Sequence, residues 1–276
     1  MRIGKTGITV RKPMVMGILN VTPDSFSDGG KYLSGNAVEH ALQMIDEGAD
    51  IIDIGGESTR PGSDPVPSEI EMERIVPVIK ELSSVSDIPI SVDTMKADVA
   101  YAALDAGADI INDVNGLRSE GMMDVVSSAG VPVIIMHMKG MPKTMQLEPM
   151  EGRVTDTIAQ FLKERYEAAL DHGIRDIITD PGVGRGRFGK TSEQNMEIIE
   201  NASAFSFGCP VLIGASRKGF LSDMFPGMDR DDATVKISMK ALDSGADIVR
   251  VHDVGRMVRA LADRVQDHAD DEDRDE

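Results

Sequence analysis

The 276-residue chain has no tryptophan, three tyrosines and seven phenylalanines, so aromatics make up only 4% of it. A protein that stacks runs of bases or lays an aromatic belt at a membrane interface would have little to work with here. The single cysteine, Cys209, excludes an internal disulfide and a multi-cysteine metal site, and it points to a reducing compartment. Positive charge is scarce: 29 Lys and Arg stand against 47 Asp and Glu, a formal net charge of -18. That balance disfavours general nucleic-acid binding and docking on anionic lipid, both of which need an excess of Lys and Arg. It leaves room for a small anion held by a local basic cluster. No stretch approaches the roughly 18 apolar residues of a membrane span. Met1 to Gly7 has no apolar run suited to a signal peptide. The expectation is a cytoplasmic protein with no nucleic-acid or membrane partner.

What the chain does contain is a repeat. Gly48-Ala49-Asp50-Ile51-Ile52-Asp53 returns as Gly107-Ala108-Asp109-Ile110-Ile111-Asn112, loosely as Gly173 to Asp180, and again as Gly245-Ala246-Asp247-Ile248-Val249-Arg250. The period, roughly 60–70 residues, is too long for a solenoid. Each copy follows a stretch with helical apolar spacing, so the Gly is expected to end a helix in the left-handed conformation and the apolar run to be a buried strand. Four further apolar runs lie between the copies: Val15 to Leu19, Ile90 to Val92, Val133 to Met136 and Val211 to Ile213. Unbroken Val/Ile/Leu runs suit strands covered on both faces. Eight such strands, each followed by a helix-compatible segment, predict an α/β fold of the (β/α)8 TIM-barrel type. A short hairpin in residues 2–12 is expected to close its bottom. A doubly wound open sheet is the runner-up, and the lack of Gly-x-Gly-x-x-Gly after the first strand weighs against it. Residues 1–262 read as one domain.

In this fold the site is built at the C-terminal ends of the strands. Asn20, Asp53, Asp93, Asn112, Asp113, His137, Asp180, Ser216-Arg217-Lys218, Arg250 and His252 stand there. A lone Asp or Asn after a strand usually satisfies neighbouring backbone, and Asp53 and Asp113 are read in that way. Asp93, Asn112 and Asp180 together form an acceptor set suited to an amino-heterocycle. Arg60, Lys218, Arg250 and Arg217 form a basic set suited to an anion. Arg250 and His252, two residues apart, share one strand face. Two long loops, Asn20 to Gly30 and Gly55 to Gly62, are expected to close over a substrate.

These stretches resemble the dihydropteroate synthase family. The resemblance rests on Met16 to Gly30, Gly55 to Gly62, Ser91 to Thr94, Ile111 to Val114, Met136 to Gly140, Asp180-Pro181-Gly182, Ser216-Arg217-Lys218 and Arg250 to Val254, in the family's order. It implies a transferase that condenses 6-hydroxymethyl-7,8-dihydropterin diphosphate with 4-aminobenzoate, releasing diphosphate. It also implies roles: Asp93, Asn112, Asp180, Lys218 and Arg250 for the pterin, and Asn20, Thr59, Arg60, Arg250 and His252 for the diphosphate. Asn20 would ligate Mg2+, and Phe26, Pro61, Phe188 and Ser216 would hold the aminobenzoate. A homodimer is implied as well. Asn20, Thr59, Arg60, Asp93, Lys218, Arg250 and His252 are the candidate catalytic set.

The family pattern Asp-Pro-Gly-x-Gly-Phe-x-Lys is interrupted here by three residues, Arg185 to Arg187. A longer solvated loop explains this, and so does a larger or phosphorylated arylamine, as in a methanopterin-type pathway. A corrinoid-linked pterin methyltransferase has no need of Thr59-Arg60 or Arg250-His252. A non-catalytic pterin-binding homologue is the other alternative. Residues 263–276 hold eight acids and two bases and read as a disordered acidic tail. Even without them the chain is acidic, with 24 Asp and 15 Glu against 27 Lys and Arg, a composition compatible with a high-salt habitat.

Overall fold

β1 (Arg2–Ile3) and β2 (Ile8–Thr9) pair antiparallel as a small hairpin at the start of the chain. The computed structural model describes residues 1–4, 7–10, 12–22, 33–57, 65–138, 150–184 and 190–272. Eight parallel strands follow the hairpin: β3 (Met14–Asn20), β4 (Ile51–Gly55), β5 (Ile90–Asp93), β6 (Ile110–Asp113), β7 (Val133–Met136), β8 (Ile177–Asp180), β9 (Leu212–Ile213) and β10 (Ile248–Val251). They lie in the order β8-β7-β6-β5-β4-β3-β10-β9. A parallel bridge between Thr179 and Val211 joins the two ends and makes the sheet a barrel. Around it run α1 (Leu33–Asp46), α2 (Ser68–Val85), α3 (Ala97–Ala106), α4 (Met122–Ala129), α5 (Thr155–Asp171), α6 (Ser192–Glu200), α7 (Phe220–Met224), α8 (Arg230–Asp243) and α9 (Val254–Glu272). The expected (β/α)8 barrel and its N-terminal hairpin are both present.

The repeat acquires a physical meaning here. Its Gly residues take φ of 103, 113, 91 and 109°, a region in which a side chain is strained, and each turns its helix back toward the barrel. Its Asp does a second job. The carboxylates of Asp50, Asp109 and Asp247 accept the backbone N–H of Val15, Ile90 and Val211 at 2.8, 3.0 and 2.8 Å. Each therefore fastens the start of the neighbouring strand and sets its register. Asp50–Val15 ties β4 to β3, Asp109–Ile90 ties β6 to β5, and Asp247–Val211 ties β10 to the start of β9.

Two apolar layers hold the barrel. The outer one lies between strands and helices and includes Ile52, Ile54, Val92, Ile111, Val133 and Ile135. The inner one fills the bottom of the barrel with Met14, Met16, Ile51, Ile110, Ile134, Ile178, Leu212 and Ile248, and Ile3 of the hairpin belongs to it. The hairpin is thus a plug, as the sequence suggests. α9 runs to Glu272, so residues 263–272 of the acidic segment continue this helix. A helix already begun adds residues at little cost. Residues 273–276 lie outside the described residues.

Asp113 behaves as its sequence reading expects. Its carboxylate accepts the amides of Asn115 and Leu117, both at 2.7 Å, and fixes a turn in which Leu117 has a φ of 59°. Burial pushes its pKa up to about 6, against those two bonds. The folded chain therefore binds an extra proton between about pH 4 and pH 6, and the contribution of Asp113 to stability falls as pH rises through that window. Lowering the pH from 7 to 5 should stabilise the wild type relative to Asp113→Asn in thermal unfolding. A constant gap between the two would contradict this.

Candidate active site

Alternation along the strands builds the site. An inward-facing residue is followed two places later by another on the same face, one layer higher. From Ile51, Ile110, Ile134, Ile178, Leu212 and Ile248 this step leads to Asp53, Asn112, Met136, Asp180, Gly214 and Arg250. The floor is apolar and the layer above it is largely polar and charged. The pairing registers set Asp93 beside Asn112 and Met136 beside Asp180.

Arg250 is the centre of this layer. Its Nε donates to Asp53 Oδ2 at 2.6 Å and its Nη2 to Asp93 Oδ2 at 3.0 Å. Burial works against the guanidinium charge, but Asp53 and Asp93 outweigh it and hold Arg250 above its ordinary value. Asp53 is fully buried. It also accepts from Ser91 Oγ at 2.6 Å and Asn112 Nδ2 at 3.2 Å. The reading of Asp53 as a mere backbone binder is therefore corrected: its partners are side chains, and it anchors Arg250. The inward step from Ile51 is the signal that would have found it.

Asp180 accepts the Gly182 amide at 2.7 Å. Burial raises its pKa, against the pull of Lys218, that amide and Arg250. Lys218, in the turn after β9, donates through Nζ to the carbonyl of Val183. His252 Nδ1 lies 2.8 Å from Ser216 Oγ, which also accepts the His252 backbone N–H at 3.1 Å. When Ser216 donates its own hydrogen to Nδ1, Nε2 carries the proton of the neutral ring and is a donor for an anion. Arg217 does not join the basic island. Its φ of 55° turns it to the outer surface, where Asp231 takes its Nε and Nη2 at 2.7 and 2.8 Å.

Sequence reasoning passed over two lysines. Lys96 places Nζ 2.6 Å from both Glu57 Oε2 and Glu71 Oε2 and 2.5 Å from the Val66 carbonyl. It joins both ends of the segment 58–64, with Glu71 fully buried. Lys190, 3% exposed, donates to the carbonyls of Pro181 and Gly182. His137 is buried beside it and stacks edge-on against Phe161, with centroids 5.0 Å apart. Burial, then Lys190 and Arg118, hold its pKa well below the usual histidine range, so the ring is neutral. Phe26, Thr59, Arg60, Pro61, Phe188 and Arg185 to Arg187 lie outside the described residues.

Among the described residues no helix is long and apolar enough to cross a membrane, and no cluster of three His, Cys, Asp or Glu side chains is built to hold a metal. Asn20, at the end of β3, offers one neutral oxygen. A neutral oxygen of this kind fits Mg2+ shared with a diphosphate, whose oxygens would supply other ligands.

Acceptors and cations converging above the floor of a parallel barrel define an enzyme site for a small, ring-bearing anion. Its relatives give it a family. Residues 16–252 match the model for pterin binding enzymes. A dihydropteroate synthase of Streptococcus pyogenes serotype M6 is 46% identical over 92% of this chain and 95% of its own length. A probable bifunctional folylpolyglutamate synthase/dihydropteroate synthase of Haloferax volcanii is 47% identical over 90% of this chain, which spans 30% of that longer protein. The Xanthomonas albilineans dihydropteroate synthase, solved with 4-aminobenzoic acid, superimposes with a TM-score of 0.89 at 41% identity, covering 97% of this chain and 98% of that one. The chain belongs to the dihydropteroate synthase family of pterin-binding enzymes.

Proposed function

We propose that the chain condenses 6-hydroxymethyl-7,8-dihydropterin diphosphate with 4-aminobenzoate to give 7,8-dihydropteroate and diphosphate. The observation that carries this reading is the acceptor layer of Asp93, Asn112 and Asp180 around Arg250. These acceptors match the N–H edge of a pterin, and Arg250 offers a flat cation to its face. In the condensation the bond from the methylene carbon to diphosphate oxygen breaks, a bond to the arylamine nitrogen forms, and the proton that nitrogen sheds passes to the departing diphosphate or to water. An arylamine is already nucleophilic, so no Ser or Cys nucleophile is required. The protein's task is to hold the two reactants in line and to neutralise the charge gathering on the leaving group.

Lys218 and Arg250 serve the pterin. Arg250, His252, Asn20, Thr59 and Arg60 serve the diphosphate. Ser216, whose hydroxyl is shared with His252, serves the aminobenzoate, a role read also for Phe26, Pro61 and Phe188. Mg2+ held by Asn20 and the diphosphate would supply further positive charge to the leaving group. The protein would work in the cytoplasm as a homodimer joined through barrel helices.

Diphosphate release from the pterin diphosphate and 4-aminobenzoate tests the reading. Turnover should require both substrates, and its absence despite pterin binding would leave a binding protein. A panel of arylamines in the same assay identifies any change of second substrate prompted by Arg185 to Arg187. Chelating Mg2+ is expected to stop turnover while leaving the affinity for a pterin without diphosphate unchanged. Turnover that persists in chelator removes the metal from the scheme.

A further inference from the structure

The turn after β8 carries an arrangement that the scheme above does not use. Three successive carbonyls, those of Pro181, Gly182 and Val183, all accept from lysine side chains. Lys190 Nζ takes Pro181 at 3.2 Å and also takes Gly182. Lys218 Nζ takes Val183. Lys190 is almost wholly buried, and its Nζ is also 3.4 Å from Nδ1 of the neutral His137 ring. The turn is pressed against the end of β7, so that a Cβ on Gly182 (φ +68°) would stand 2.3 Å from the His137 carbonyl. The His137 amide in turn donates to the Asp180 carbonyl at 2.9 Å.

The Pro181 carbonyl and the Gly182 N–H belong to one planar peptide unit and point in opposite directions. Lys190 draws the carbonyl end. The N–H end then points at Asp180 Oδ1, 2.7 Å away. Without Lys190, two buried carbonyls lose their donor. A peptide preceding a glycine in a turn flips readily, because glycine accepts both resulting conformations. A flip would turn the amide away from Asp180 and release the carboxylate from its orientation.

We propose that Lys190 is a positioning residue for the pterin, acting through the Pro181–Gly182 peptide on the carboxylate of Asp180. The proposal rests on the reading of Asp180 as a pterin ligand. It sets Lys190 apart from Lys218, which reaches the same turn from the other side of the barrel seam.

The test is a double-mutant cycle on the full chain, read by calorimetric titration with a pterin that lacks the diphosphate. Lys190→Met is expected to weaken pterin binding about tenfold, the scale of one hydrogen bond lost from the network that orients Asp180. Its KM for aminobenzoate should stay within about threefold. In the Asp180→Ala background the same substitution should change pterin affinity by less than about twofold, because the group it orients is gone. A merely structural role predicts the same tenfold loss in both backgrounds, and that result overturns the proposal, as does an unchanged affinity in Lys190→Met alone. Lys190→Gln, which keeps a donor on a shorter side chain, runs the same cycle if Lys190→Met does not fold. Pterin binding by a wild type that releases no diphosphate refutes the synthase reading and leaves this cycle readable. Normal turnover with an additive cycle refutes only the role of Lys190.

Discussion

Arg250→Ala is expected to lose about three orders of magnitude in kcat/KM and to unfold on the order of 10 °C below the wild type. The first effect follows from removing the cation that faces both the pterin and the developing charge of the leaving group. The second follows from Asp53. Its carboxylate has no solvent exposure, and Arg250 supplies its charged partner at 2.6 Å. Breaking a buried pair from one side strands the other charge, at a cost of about 3–5 kcal/mol. The two effects can be separated. Asp53→Asn in the Arg250→Ala background removes the stranded charge and should recover most of the stability while turnover stays low. If Arg250→Ala works within tenfold of the wild type, Arg250 has been given the wrong role. If Asp53→Asn restores no stability, the pair does not explain the loss.

A second large effect is expected away from the pterin. Lys96→Met should lower stability by about 3–5 kcal/mol. Its ammonium sits between Glu57 and Glu71, 2.6 Å from each, and burial already raises the pKa of Glu71 despite the pull of Lys96. Without Lys96, two carboxylates face each other in a dry environment and Glu71 rises further. A carboxyl raised above its unfolded value takes up a proton on folding, so the variant regains stability as the pH falls. Its thermal midpoint should lie far below that of the wild type at pH 7, with the gap narrowing toward pH 5. A gap that widens on acidification would rule out stranded carboxylates as the cause. Because Lys96 also joins Glu57 to the Val66 carbonyl, KM for both substrates should rise.

The barrel was legible because its strands announce themselves. Runs such as Val133 to Met136 have no polar alternation, and left-handed glycines at fixed offsets mark where each helix turns back. The acceptor set was legible because it stands at strand ends in a fold that puts its chemistry there. Asp53 and Asp113 show where this reasoning stops. Asp53 follows Ile51-Ile52 and Asp113 follows Ile110-Ile111-Asn112, yet Asp53 faces the barrel interior and binds Arg250, almost two hundred residues away in sequence, while Asp113 binds its own turn. Only strand register tells them apart. Arg217 and Lys218 are adjacent, and one positive φ sends them to opposite sides. Lys96, Glu57 and Glu71 come from three separate segments and carry no local signal, because ion-pair partners are chosen by tertiary packing. The repeated Asp was visible as a pattern, but its function as a clip on the neighbouring strand needed the hydrogen bonds.

Among the described residues, one parallel bridge, Thr179 to Val211, closes the barrel. Asp180 follows on one side of that seam and Lys218 stands beyond the other, already reaching across it to Val183. A molecule that engages both residues spans the junction between the first and last strands of the sheet. Its binding free energy then also works against opening of the barrel, through the ordinary linkage between ligand and folded state. Substrate saturation and resistance to unfolding are in this way coupled at one place in the chain.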